Sequence, residues 1–181
     1  ATSSALWGAG DLAAQAVEWA MAGGAEGRSA PPDFSRAATS AAFGAGFVGP
    51  AGHVWYSTLD SLARRACGAA RGPAFLAAKV AADSFVFGPV HICALFGFME
   101  VMDGRGWAGA EAKISRDFLP AFGAELAFWP AFQLVNFWRV PVRHQLLVVN
   151  SACLVDATFL SWAKATDLSA AASAALGWPR G

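Results

Sequence analysis

Ionisable side chains are scarce in this chain: Asp, Glu, Lys and Arg make up 14% of its 181 residues, where a soluble domain typically carries about 25%. With 56% hydrophobic residues and a mean hydropathy of +0.41, it lacks the polar surface needed to face water on all sides. The 13 basic and 13 acidic residues cancel, which removes the electrostatic case for nucleic acid. Cys67, Cys93 and Cys153 lie far apart, with no paired Cys or Cys/His spacing. They read as small buried hydrophobes rather than disulfide partners or metal ligands, and no metal is expected. No GxSxG, HExxH, Walker or dinucleotide-binding loop is present. No catalytic residue is therefore nominated, and an enzyme has no constellation behind it. Missing too are heptads and any repeat of roughly 20 to 50 residues, so residues 1–181 read as one domain.

What the chain has instead is long apolar runs. From Phe118 to Trp138 there are 21 residues with one formal charge, Glu125, and from Leu146 to Ala163 there are 18 with one, Asp156. Helices of that length span roughly 27 to 32 Å, the thickness of a bilayer's hydrocarbon core. The link from Arg139 to Arg143 holds two arginines and a proline, as a polar turn between spans should. Residues 37–59 contain no Asp, Glu, Lys or Arg, and 75–102 form a further apolar stretch with a kink expected at Pro89. The pattern predicts an all-α integral membrane bundle of about four transmembrane helices, 37–59, 75–102, 118–138 and 142–164. Polar links are expected over Asp60 to Gly72 and Asp103 to Asp117, with a tail over 165–181. An Ala-rich helix over 5–22 precedes these spans. Its Asp11, Gln15 and Glu18 share one face, so it lies at the interface or turns that stripe inward against protein. The opening at Ala1 is consistent with a removed targeting segment or a fragment that omits one.

The polar residues inside the spans are the functional candidates. Lys79 and Asp83 stand at i and i+4 and are expected to neutralise one another. Gln133 and Asn136 share a face of the third span, with Glu125 two turns before Gln133. Together these five either line a narrow polar path or fasten helices through hydrogen bonds. Small residues at four-residue spacing, Ala38, Ala42 and Gly46 or Ala41, Ala45 and Gly49, predict close approach of another helix. Trp55 and Tyr56 are expected at the headgroup level. His53, His91 and His144 are dispersed and read as structural. The dense aromatics of 118–138 suit lipid, core packing or a neighbouring subunit.

Several blocks resemble one known family. They are GDLAAQ (Gly10, Asp11, Gln15) and GPAGHVWYSTLD (Gly49, Pro50, His53, Trp55, Tyr56, Leu59, Asp60), then Lys79, Asp83 and Pro89. WPAFQLVNFWRVP follows (Trp129, Pro130, Gln133, Asn136, Phe137, Val140, Pro141), then Asn150 and the run Leu160, Ser161, Trp162. In order and over nearly the whole chain, these resemble the Mpv/PMP family of peroxisomal membrane proteins with mitochondrial inner-membrane and chloroplast relatives. The chain departs from the family pattern at Ser84, usually Gln, at Leu126, usually aromatic, at Gln145, usually Arg, and at Asp156, usually Trp.

The resemblance implies a non-enzymatic bundle in an organelle membrane, with a weakly selective channel or membrane-homeostasis role. The alternative expectation is an accessory subunit of a large respiratory or photosynthetic complex. No cofactor is required, although lipid or pigment along the aromatic spans is compatible with the sequence. The partners expected are membrane lipids, and neighbouring subunits or further copies of the chain, without nucleic acid. A mitochondrial inner or chloroplast membrane is favoured over a peroxisomal one.

Overall fold

The computed structural model describes residues 2–21, 32–68 and 72–165, with side chains as far as Val155. The helices are α1 (Thr2–Met21), α2 (Phe34–Phe43), α3 (Gly49–Cys67), α4 (Pro73–Ala82), α5 (Gly88–Met102), α6 (Gly106–Arg139) and α7 (Val142–Ala165). The described residues contain no strand, in keeping with the all-α expectation. The tail from Asp167 and the side chains of Asp156, Leu160, Ser161 and Trp162 lie outside the described residues.

Two π-helical turns, Gly44–Val48 and Asp83–Phe87, carry α2 into α3 and α4 into α5. They share a cause, because each is followed directly by Gly-Pro, at Gly49-Pro50 and Gly88-Pro89. Proline has no N–H for the carbonyl four residues back, and its ring presses on that carbonyl. Widening the preceding turn relieves the clash while the chain stays helical. The kink expected at Pro89 takes this form, and Pro50 imposes a second. Pro141 acts differently: it holds Val140 extended (φ −98, ψ 130), which ends α6.

The links are shorter than the sequence suggested. α3 continues through the expected 60–72 loop to Cys67, because Arg64 bonds the Asp60 carboxylate one turn earlier at 2.7 Å. Gly68, at φ +86, then stops it. Most of the expected 103–117 link is likewise helix, held by the Lys113–Asp117 pair at 2.6 Å. The reversal before α6 falls to Gly104 and Gly106, at φ +79 and +63, a backbone region that strains other residues. Cys67 is exposed at the end of α3, where a buried position was expected, because α3 outlasts the apolar stretch. Cys93 and Cys153 are half-buried.

Two of the four expected spans are long and apolar enough to cross a bilayer: Pro73–Met102 and Gly106–Arg139. Only 11% and 6% of their apolar windows are buried, whereas the core helix of a soluble protein would be buried along most of its length. Phe85, Val86, Val90, Leu119, Phe128 and Val135 instead point outward, a surface that hydrocarbon satisfies and water does not. α6 is roughly 51 Å long at 1.5 Å per residue, so its polar first turns extend past a core of roughly 30 Å. Residues 37–59 are helical but fall short of the same apolarity, and the apolar part described in α7 is Val142–Val155.

The described residues form two compact units, one drawn from Ala45–Val149 and the other from Thr2–Gly44 together with 150–165. In the first, Tyr56, Leu59 and Phe137 make a core against which Leu76, Val80, Leu146 and Val149 pack. In the second, α1 lies close along α2. A Cβ at Gly8 would stand 3.2 Å from that of Ala41, and one at Gly44 would stand 2.8 Å from the Ser3 carbonyl oxygen. Small residues therefore do admit a neighbouring helix, but through Ala37, Ala41 and Gly44. Ala38, Ala42, Ala45 and Gly46 are exposed.

Candidate functional site

The first unit contains a polar cluster built from α3, α4 with its π turn, α6 and α7. Lys79 on α4 has no exposed surface. Its ammonium donates to Asp60 Oδ1 at 3.0 Å and to Gln145 Oε1 at 3.3 Å. It also lies 4.5 Å from the ring centre of Phe137 and 5.5 Å from that of Phe75. Asp60 is shared, because Arg64 donates to its other oxygen. Asp83, four residues after Lys79, accepts from Trp55 Nε1 at 2.8 Å and from Gln133 Nε2 at 2.6 Å.

The amides close the set. Gln133 Nε2 also donates to the Tyr56 hydroxyl at 2.9 Å, and Asn136 Nδ2 donates to Gln133 Oε1 at 2.8 Å. Gln145 Nε2 donates to the Val140 carbonyl at 3.0 Å, fixing the start of α7 to the end of α6. Lys79 and Arg64 against Asp60 and Asp83 leave the group formally neutral, as charges withdrawn from water require. Lys79, Trp55, Gln133 and Gln145 donate from one element to another, so the arrangement fastens helices.

Three expectations change here. Lys79 and Asp83 share a face, yet each is directed to other helices, Lys79 to Asp60 and Gln145, Asp83 to Trp55 and Gln133. Trp55 and Tyr56 point into the protein rather than to the headgroups, because Asp83 and Gln133 offer their polar tips partners there. Asp60, read as the first residue of a loop, is the carboxylate of the buried ion pair. Glu125 stands apart from these hydrogen bonds, with Oε2 3.6 Å from where a Cβ at Gly88 would sit. His91 stacks with Phe87 and Phe47 at 6.1 and 6.3 Å between ring centres, while His53 and His144 are exposed. Among the described residues, no three His, Cys, Asp or Glu side chains gather as metal ligands.

The second unit holds a smaller cluster. Asn150 donates to Ser3 Oγ at 2.8 Å and accepts from Trp7 Nε1 at 3.2 Å. The acidic stripe of α1 turns onto α2: Arg36 donates to Asp11 at 2.8 Å and to Glu18 at 3.1 Å. The Glu18 hydrogen bonds, then those of Asp11, raise the already high pKa of Arg36 despite its partial desolvation. Gln15 bonds Asp11 and both backbone groups of Asp33, the N-cap of α2.

Residues 100–161 match the Mpv17 / PMP22 family. A protein named sym1 from Aspergillus oryzae is 35% identical over 84% of this chain and 81% of its own length. The chain belongs to the Mpv17/PMP22 family. The mitochondrial inner membrane protein Mpv17 of Bos taurus is 31% identical over 89% of this chain and 85% of its own. The Rattus norvegicus protein of the same name is 34% identical over 70% and 69%. No solved structure matches the chain. These names support a mitochondrial membrane location, while the chloroplast, peroxisomal and accessory-subunit expectations find no support in them.

The Mpv17/PMP22 blocks divide between the two clusters. Trp55, Tyr56, Asp60, Lys79, Asp83, Gln133, Asn136 and Phe137 meet in the first, with the Val140 carbonyl. Asp11, Gln15 and Asn150 serve the second, where Gly10 lets α7 approach, Leu154 Cα standing 3.4 Å from where a Cβ would be. Gly49 and Pro50 follow the first π turn, Pro141 ends α6, and Trp129 packs on Phe128 and Phe132. Gln145, expected from the resemblance to be a departure from the family pattern, gives Lys79 a neutral acceptor. Ser84 and Leu126, two further departures, line with Pro130 an open groove on the same unit.

Proposed function

We propose that this chain works in the mitochondrial inner membrane as a weakly selective pore held shut by its own polar cluster, with a part in that membrane's solute homeostasis. The observation that supports this reading is the cluster itself, in which Lys79, Asp60 and Asp83 are buried among helices whose outer faces are apolar. Fastening alone needs only amides and hydroxyls, whereas ionisable groups at membrane depth are costly and mark solute paths by default. Asn136 Oδ1 is a buried acceptor with no donor among the described residues, a place for an entering water or cation. The role is non-catalytic and needs no cofactor. The mitochondrial assignment rests on the names of the relatives.

Recording from the purified full chain in planar bilayers tests the proposal. Discrete openings of weak selectivity are expected, made more frequent by Gln133→Leu, which removes the amide shared by Asp83 and Tyr56. A bilayer that stays tight at high protein density would sink the reading, as would opening frequencies that Gln133→Leu leaves unchanged.

A further inference from the structure

An apolar groove of about 810 Å³ opens between α4 and α6 on the first unit. Ala77, Ala81 and Phe85 form one wall, with Pro130, Ala131 and Leu134 opposite. The three alanines are exposed, so the groove opens outward, to hydrocarbon. The walls run antiparallel: Lys79 reaches the Phe137 ring, and Asp83, in the π turn that continues α4, reaches Gln133. Following α4 back to Pro73 therefore leads towards Arg139 on α6. From Pro73 to Phe85 the helix rises roughly 18 Å, close to the roughly 15 Å of hydrocarbon in one leaflet.

The end of the groove near Pro73 is basic. One turn beyond Leu134, on the same face of α6, stands Trp138, which is 53% exposed. The Arg139 guanidinium lies 4.0 Å from its ring centre. Arg64 and Arg65 end α3 at this level, and Arg143 begins α7 there. The one acidic side chain described at this end, Asp60, is already bonded to Lys79 and Arg64. An apolar trough one leaflet deep with arginines at its mouth complements a single kind of neighbour. We propose that the groove holds an acyl chain of an anionic phospholipid whose phosphate is bound by Arg139 on the Trp138 platform.

A guanidinium stacked on an indole keeps its N–H edge directed sideways, the geometry that grips phosphate oxygens in pairs. Tryptophan suits the headgroup level, where the phosphate lies. A zwitterionic phospholipid fills the trough equally well and brings the same phosphate, but its own ammonium group competes for that phosphate and adds positive charge beside the arginines. A second copy in the same membrane would bring its own arginines to this level, and like charge opposes that pairing.

Native mass spectrometry tests this on the full chain released from vesicles of phosphatidylcholine and phosphatidylglycerol in equal parts. Phosphatidylglycerol should be retained in preference to phosphatidylcholine by roughly tenfold, the scale of one charge-assisted contact. Arg139→Gln should abolish the preference while lipid is still retained, and Ala77→Phe, which grows into the trough, should remove both lipids. If Ala77→Phe does not fold, Ala81→Leu fills the same trough and carries the same expectation. A preference that survives Arg139→Gln would overturn the proposal, as would retention unaffected by filling the trough. So would a homodimer that the filling substitution separates.

Discussion

Asp60 has two cationic partners, whereas Lys79 is fully buried and depends on Asp60 for opposite charge at hydrogen-bonding distance. That asymmetry sets an order of effects. Asp60→Asn leaves a buried ammonium without its carboxylate and should cost about 3 to 5 kcal/mol. Lys79→Gln leaves Asp60 still bonded to Arg64 and should cost clearly less. Unfolding in detergent, followed by circular dichroism, measures both, and equal or reversed losses would contradict this account of the pair. Lys79, Asp83, Gln133 and Asn136 were legible in the sequence because polar groups stand out in apolar runs. Their partners were not. Asp60 sits beside arginines that suggested a loop, Trp55 and Tyr56 have rings equally suited to headgroups, and Gln145 lies at the edge of an apolar run. Which acceptor a buried donor reaches depends on how helices pack, and one sequence does not fix that.

At the scale of elements, the π turns and the glycines decide which faces meet. Gly44 abuts the Ser3 backbone, and a Cβ there would lie 2.8 Å from a carbonyl oxygen, which cannot swing away as a side chain could. Gly44→Ala should therefore destabilise the α1 and α2 pair by about 1 to 3 kcal/mol. Gly46, two residues on, has nothing within 4 Å of its Cβ position. Gly46→Ala should be neutral, or stabilising by up to about 1 kcal/mol through lower backbone entropy in the unfolded chain. Thermal midpoints of the two variants separate these outcomes, and similar losses at both sites would refute the close-approach argument. Apolar runs revealed the helices and the resemblance located their motifs. Helix ends were less legible because Asp60–Arg64 and Lys113–Asp117 carry helix through polar sequence. The face that α1 uses, through Ala37, Ala41 and Gly44, was not singled out because small residues occupy several faces of α2 and spacing alone does not choose among them.

For the whole molecule, two long helices with largely unburied apolar surface require a bilayer as their solvent, and the charges kept inside must balance. Within the first unit Lys79 and Arg64 offset Asp60 and Asp83, so a path through the cluster would discriminate little between cations and anions. Replacing Lys79 with glutamine leaves two carboxylates against one arginine. If ions cross the membrane through this cluster, the path must then favour cations. The deciding measurement is the reversal potential of single channels under a salt gradient, wild type against Lys79→Gln in bilayers of the same composition. The expected result is a value near zero for the wild type and a shift towards the cation equilibrium potential for Lys79→Gln. Openings whose reversal potential is the same in both proteins would place any conduction outside the cluster and contradict the proposed role.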